Sequence, residues 1–265
     1  MKAKFKTFLS LALLLGTCYT SSAQQKFLLT NANIIDGTGS PEYKSNILVD
    51  GNTIADIGKN IVAKDATVVD LKGKTIMPSI ISTHVHIGLL KGTKNSADNY
   101  TRDNILHQLT RYQDYGVSNI LAMGTDRPSI IQSGLLDSIH NGQLPVSNFL
   151  SAGIGFGVPN GAPPMEMGLD LVYRPSNPDQ IPAEMDSLQS MHPFVVKMWV
   201  DDFGGKYKKM SPEIYKKIIE EAHKKGLRVA AHVYYLSDLR QLLNDGLDIV
   251  AHSIRDFVID DATIQ

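Results

Sequence analysis

From residue 75 onward the chain alternates between short apolar runs and stretches with helical spacing, and this rhythm restricts the fold more than any other feature. The runs 75–88, 116–124, 149–154, 194–200, 227–233 and 247–254 have the length and apolar character of strands buried on both faces. Between them, 98–115, 129–141 and 237–244 read as helices, with Ile105, Leu106, Leu109 and Tyr112 on one face of the first. The clearest helix starts at Ser211 as N-cap with Pro212 in the first turn. It buries Ile214, Ile218, Ile219 and Ala222, and it closes at Lys224, Lys225 and Gly226. Asp261 onward has the makings of another helix. Apolar strands alternating with helices predict a parallel sheet covered on both sides, either doubly wound or closing as a (β/α)8 barrel. No Gly-x-Gly-x-x-Gly turn follows the first strand, which removes the main support for dinucleotide binding. The Gly- and Pro-rich stretch 155–165 reads as a long loop bordering a pocket.

The preceding segment, 24–74, has a different rhythm. Short strands over 27–35, 45–50, 52–57 and 66–71 are separated by turn signals at Asp36-Gly37, Asp50-Gly51 and Lys72-Gly73. This predicts a small all-β unit, part of a β-sandwich, with a core too small to be secure alone.

The first 23 residues are set apart from the fold. Lys2, Lys4 and Lys6 precede a brief apolar run and then small residues at Ser21 and Ala23, the pattern of a secretory signal cleaved after Ala23. Lipidation at Cys18 is the alternative, with Thr17 a poor fit. Cleavage predicts a secreted or periplasmic protein and removes Cys18, the only cysteine, so any metal must be held by nitrogen and oxygen. The near-neutral charge of −1 becomes more negative without the leader, and no basic cluster interleaves with aromatics, so nucleic acid and acidic membrane surfaces are not expected partners.

Polar residues inside apolar strands carry the functional information, because burying them is costly unless they are paired or bound to a metal. His84 and His86 project to the same side of a strand, one pleat apart, although a single His-x-His is a weak signal. Lys197 sits in the middle of the fourth apolar run, where it would be forced neutral and reactive. A lysine that captures carbon dioxide becomes an anionic carbamate able to bridge two cations. His232 and His252 lie near the C-terminal ends of the fifth and sixth runs, where barrel active sites are built. Taken singly, each of these two reads as a hydrogen-bonded core histidine and Lys197 as a side chain reaching a barrel mouth. Together, four such features on successive strand ends point to a metal site. His107, His140, His192 and His223 fall in helices or loops and read as surface residues.

The strand ending Ser82-Thr83-His84-Val85-His86, Lys197 in its apolar strand, Ala231-His232, Ala251-His252, and the β unit leading through Lys74 to Pro78 resemble the amidohydrolase superfamily in order and spacing. The likeness is greatest to its imidazolonepropionase-like and prolidase-like secreted members. The resemblance implies that His84 and His86 bind the more buried of two divalent metals and His232 with His252 the more exposed one. It further implies carboxylated Lys197 as the bridge, with Lys197, His232 and His252 in the catalytic machinery. Zinc is the expected ion. The implied reaction is hydrolysis of carbon–nitrogen bonds in small amides, cyclic amides or dipeptides through a metal-bound hydroxide. Tyr234 and Tyr235 are candidate substrate contacts, and a homo-oligomer is left open.

Two departures qualify the likeness. Ser79 and Ser82 stand where the family has Gly and Asp, which predicts changed packing or hydrogen bonding around the ligands. The family's eighth-strand aspartate has no counterpart: Asp256, Asp260 and Asp261 follow His252 too closely. The reading is therefore a barrel of strands one to six over 75–265, C-terminally truncated, with two unpaired edges. Two alternatives follow, a catalytically incomplete metal-binding fragment and an isomerase or decarboxylase on the same scaffold.

Overall fold

The computed structural model describes residues 25–265, so the expected leader at 1–23 lies outside the described residues. Two compact units divide after Pro78. The boundary falls later than 74 because Thr75–Ile76 is itself a strand of the small unit, paired with its first strand. That unit is a five-stranded sheet: β1 (Lys26–Ile34), β2 (Tyr43–Asp50), β3 (Thr53–Gly58), β4 (Thr67–Asp70) and β5 (Thr75–Ile76). β2 and β3 form the hairpin that Asp50-Gly51 signals, while β4 and β5 both run parallel to β1. Among its described residues Ala32, Ile34 and Ile47 form a small buried cluster, with Leu29, Val49, Leu71 and Ile76 packed around them. So small an apolar core contributes little stability by itself.

Ser79–Gln265 is the α/β unit. Its sheet strands are β6 (Ile80–Val85), β9 (Val117–Ala122), β10 (Asn148–Ser151), β11 (Val196–Val200), β12 (Val229–Val233) and β13 (Ile249–Val250). β10, β9 and β6 are hydrogen-bonded in that order, as are β11, β12 and β13, and every pairing is parallel. Phe194 N–H donates to Ser151 O at 2.7 Å, and Phe156 exchanges two hydrogen bonds with Lys197 and Trp199. These contacts join the two halves, giving six parallel strands in chain order as in a (β/α) barrel. Ile80 and Ile81 on β6 and Val250 on β13 are exposed, as expected for the two outermost strands.

The four inner strands, β9 to β12, are largely buried on both faces, and each face packs differently. Val85, Ile120, Ala122 and Phe149 point outward under α1 (Arg102–Asp114), α2 (Pro128–Gln132) and α3 (Leu135–His140). Val196, Met198, Val200, Val229, Ala231 and Val233 point outward under α4 (Ile181–Gln189), α5 (Pro212–Lys224) and α6 (Leu236–Asn244). Leu121, Met123, Ala152, Val195 and Ala230 form the inner cluster. Alternation then assigns the functional residues to a face: Lys197 shares that of Val195, and His232 that of Ala230.

Several expected elements are redrawn. The stretch 98–115 begins its α-helix only at Arg102, because the Thr101 hydroxyl caps Asn104 N–H. The stretch 129–141 splits into α2 and α3 at Gly134, whose φ of 65° is left-handed. Ser211 occupies the N-cap of α5 without a side-chain capping bond, although Ile214, Ile218, Ile219 and Ala222 are buried as the pattern predicts. The sixth strand shrinks to two residues. α4 and the small hairpin β7 (Leu90–Lys91) and β8 (Lys94–Asn95) lack a strong sequence pattern and were not foreseen. The chain closes with α7 (Asp261–Ile264), capped by Asp260. No helix among the described residues is long and apolar enough to cross a membrane.

Candidate metal centre

His84 is the penultimate residue of β6, and His86 lies just past the strand. Val85 between them is buried outward, so both imidazoles face inward, with ring centroids 5.4 Å apart. His232 ends the inner face of β12, and His252 lies two residues beyond β13. Their rings approach to 4.4 Å, with His232 Nδ1 and His252 Nε2 only 2.5 Å apart. His84 stacks on His252 at 5.5 Å and 13°. The structure thus gathers all four histidines, which come from three strands.

Lys197 is the second residue of β11 and is wholly buried. Among the described residues its Nζ has no hydrogen-bond partner, and it lies 4.4 Å from the Trp199 ring centroid. Burial pulls its pKa from 10.5 to about 7. Its field in turn helps depress all four histidines. Burial is the largest cause in each: His86 falls to about 3 and His232 to about 4, the latter despite the opposing effect of its hydrogen bond to Asp201. His84 and His252 are also lowered. Near neutral pH all four rings are uncharged, the state a metal ligand requires.

The outer nitrogens are tied down. His84 Nδ1 meets Ala251 O at 3.1 Å, His86 Nδ1 meets Thr125 Oγ1 at 3.0 Å, and His232 Nε2 meets Asp201 Oδ2 at 2.8 Å. Such partners fix ring orientation and tautomer in metal sites. Just past His86, Asn104 and Gln108 of α1 hold the backbone of Gly88 and Leu90. Among the described residues no three His, Cys, Asp or Glu side chains by themselves form a metal-holding group. Lys197 is the remaining donor in reach, and as a neutral amine it brings no negative charge.

The other sequence candidates are placed as follows. Tyr235 donates its hydroxyl to Asp202 at 2.8 Å beneath the Lys209 ammonium, and Tyr234 packs edge-on against it. Both are half-buried beside the centre, and neither bonds to one of its five residues. His107, His140, His192 and His223 are exposed. Asp256 caps Leu236 N–H at the start of α6, so neither it nor the cap of α7 enters the centre. Ser79 pairs with Ser118, away from the ligands. The main groove follows α1, past Asn104, Gln108, Arg111 and Tyr112, and reaches the centre only at His86.

Two buried carboxylates escaped the sequence reading. Asp201 follows β11 directly, and Asp126 follows Thr125. Asp201 adjoins the apolar end of β11, which was the available signal, whereas Asp126 lies between Thr125 and Arg127 beyond β9 and had none. Asp126 is fully buried and accepts hydrogen bonds from Ser151 (2.5 Å) and Tyr100 (3.2 Å). Burial outweighs these bonds and pushes its carboxyl from 3.8 up to about 7. The folded protein therefore keeps the proton while the unfolded chain loses it above 3.8. The contribution of Asp126 to stability falls by about 4 kcal/mol as pH rises from about 4 to about 7 and then levels off, against the opposite trend from the depressed His86 and His232. Asp126→Asn, with no proton to lose, is expected to remove most of that slope in urea unfolding of the metal-free protein. Parallel stability curves for parent and variant over this window would contradict the assignment.

No protein-family model matches the chain. A 5-methylthioadenosine/S-adenosylhomocysteine deaminase of Thermococcus onnurineus is 33% identical over 67 residues, 24% of this chain and 16% of the relative. A dihydroorotase of Syntrophotalea carbinolica is 34% identical over 62 residues, 23% and 15% of the two chains. The crystal structure of a prolidase complexed with N-methylphosphonate-L-proline superposes with a TM-score of 0.70 at 16% identity, over 85% of this chain and 60% of that one. The match thus spans about a sixth of the two relatives and 60% of the prolidase chain, and the structural likeness concerns the fold.

Proposed function

We propose that this chain, which belongs to the amidohydrolase superfamily, builds a two-ion metal centre from His84, His86, Lys197, His232 and His252 and hydrolyses carbon–nitrogen bonds of small amides, cyclic amides or dipeptides. The observation that carries the reading is Lys197 Nζ, wholly buried without a partner among the described residues and close enough to depress all four histidines. A buried amine without a hydrogen bond costs free energy. It fits a site completed by a group the chain does not supply. The donors are nitrogen and oxygen only, since no cysteine lies within 25–265, which suits zinc.

His84 with His86 would hold one ion and His232 with His252 the other, with carboxylated Lys197 between them. Bound there, divalent ions would lower the pKa of water and polarise a substrate carbonyl. The chain's part is to prepare the donors. With its pKa near 7, much of Lys197 is unprotonated at neutral pH. That amine can attack carbon dioxide: a nitrogen–carbon bond forms, one C=O π pair moves to oxygen, and a proton leaves nitrogen. The resulting carbamate carries two oxygens and a negative charge where the free amine had neither. Ala251, Thr125 and Asp201 hold the imidazoles in place. The similarity to a deaminase and a dihydroorotase supports carbon–nitrogen chemistry, and the prolidase ligand supports small substrates. Export to the periplasm or beyond through residues 1–23 belongs to the same proposal.

The test is amine release from Xaa-Pro dipeptides, N-acyl amino acids and cyclic amides, with zinc and bicarbonate present. Turnover lost on chelation and restored by zinc is the expected result. Zinc binding with no turnover of any of these would instead favour a metal-binding fragment. Asp201, the carboxylate bonded to a centre residue, is already engaged by His232 and the Phe203 N–H, which is the observation favouring that second reading.

A further inference from the structure

Asp201 is 2% exposed, and both of its carboxylate oxygens are committed. Oδ1 accepts the Phe203 N–H at 2.9 Å, and Oδ2 faces His232 Nε2 at 2.8 Å. Phe203 itself holds φ at 53°, a left-handed conformation that a bulky residue adopts only when its surroundings enforce it. Its ring lies nearly parallel to that of His232, 13° apart at 6.2 Å. The turn after β11 therefore grips His232 from its carboxylate side and its ring face together.

A carboxylate accepts hydrogen bonds and donates none, so Nε2 of His232 carries the proton. In a neutral imidazole the other nitrogen then has a free lone pair, and here that is Nδ1, the atom 2.5 Å from His252 Nε2. We infer that Asp201 is a positioning residue of the metal centre: it locks His232 in the Nε2–H tautomer and so presents Nδ1, beside His252 Nε2, as a pair of donors for one ion. This rests on the metal-centre reading above. A carboxylate–histidine–metal relay of this kind raises ligand basicity and fixes ring orientation.

Asp201→Asn separates this role from simple packing. The amide has one accepting oxygen for two donors. If that oxygen stays with Phe203 N–H, the NH2 group faces His232 and favours the Nδ1–H tautomer, which blocks the donor. In the full chain, zinc affinity measured against a competing chelator is expected to fall by about 10- to 100-fold for the weaker-held ion. Imidazole nitrogen NMR of the metal-free protein is expected to report His232 as Nε2–H in the parent and shifted towards Nδ1–H in the variant. Asp201→Glu, which keeps the carboxylate, is expected to recover part of the affinity. If the parent binds zinc and the Asn variant binds it equally well, the positioning role is overturned while the metal centre stands. If the parent binds no zinc, the metal-centre reading fails and this role with it. Should the Asn variant not fold, the parent spectrum decides: an Nδ1–H tautomer for His232 overturns the inference.

Discussion

Lys197→Met is expected to hold no more than about one metal ion per chain where the parent holds about two, and in metal-free form to be more stable than the parent. The two effects share one cause. Nζ is buried without a partner, and burial shifts its pKa from 10.5 to about 7, a penalty of about 5 kcal/mol on the charged form. Releasing the proton near pH 7 relieves little of it, because removing that proton from a group of ordinary pKa 10.5 costs about as much there, and a buried amine also leaves its hydrogen bonds unmade. Methionine has similar volume and fills the same space without polar atoms. A gain of several kcal/mol, up to about 5, is therefore expected near pH 7.

The pH dependence gives a second handle on the same residue. Unfolded, the lysine keeps its proton up to about 10.5, whereas folded it releases it near 7. The unfolded state binds more protons between these values, so parent stability rises with pH across that window and the lysine's penalty is full below it. The Met variant lacks this rise. Denaturant unfolding in chelator and carbon dioxide-free buffer measures both, and elemental analysis of bicarbonate-treated protein measures metal. A variant that is less stable at pH 7 and still binds both ions would remove Lys197 from the centre.

Gly124→Ala is the second large effect. Gly124 sits at φ 80°, in the left-handed region, just past β9. A Cβ there would lie 2.8 Å from Lys197 Cβ, 3.0 Å from its Cγ and 3.1 Å from Gly155 Cα. Two of these atoms are the stem of a packed side chain and the third is backbone, so none yields cheaply. Left-handed strain adds about 1–2 kcal/mol, and overpacking a further 1–3 kcal/mol or so. A loss of about 3 kcal/mol is expected, with weaker metal binding because the lysine stem must move. Urea unfolding of the metal-free chain checks the first, and zinc titration the second. A variant as stable as the parent would mean that the strand ends around Lys197 are loosely packed.

Much of this arrangement was legible in the residues. Period-two burial in the strands and the stripe of Ile214, Ile218, Ile219 and Ala222 follow from local sequence, because facing is fixed by backbone geometry alone. The same rule put His84 with His86 and exposed the oddity of Lys197 among Val196, Met198 and Val200. Asp50-Gly51 marked its hairpin because few other residue pairs suit so tight a turn. Element ends were less legible, since the Thr101 cap and the break at Gly134 depend on a few local hydrogen bonds and one dihedral.

What only the tertiary structure decided is partnership. His84 and Ala251 are 167 residues apart, and His232 and Asp201 are 31 apart. Strand register brings each pair within hydrogen-bond reach, and no periodicity along the chain encodes which acceptor will lie beside which ring. The same holds for Gly124, whose need for glycine arises from the Lys197 stem packed against it. Sequence determined the residues that would be costly to bury; packing between strands determined which neighbours make that burial tolerable, because those contacts form only once distant segments share a sheet.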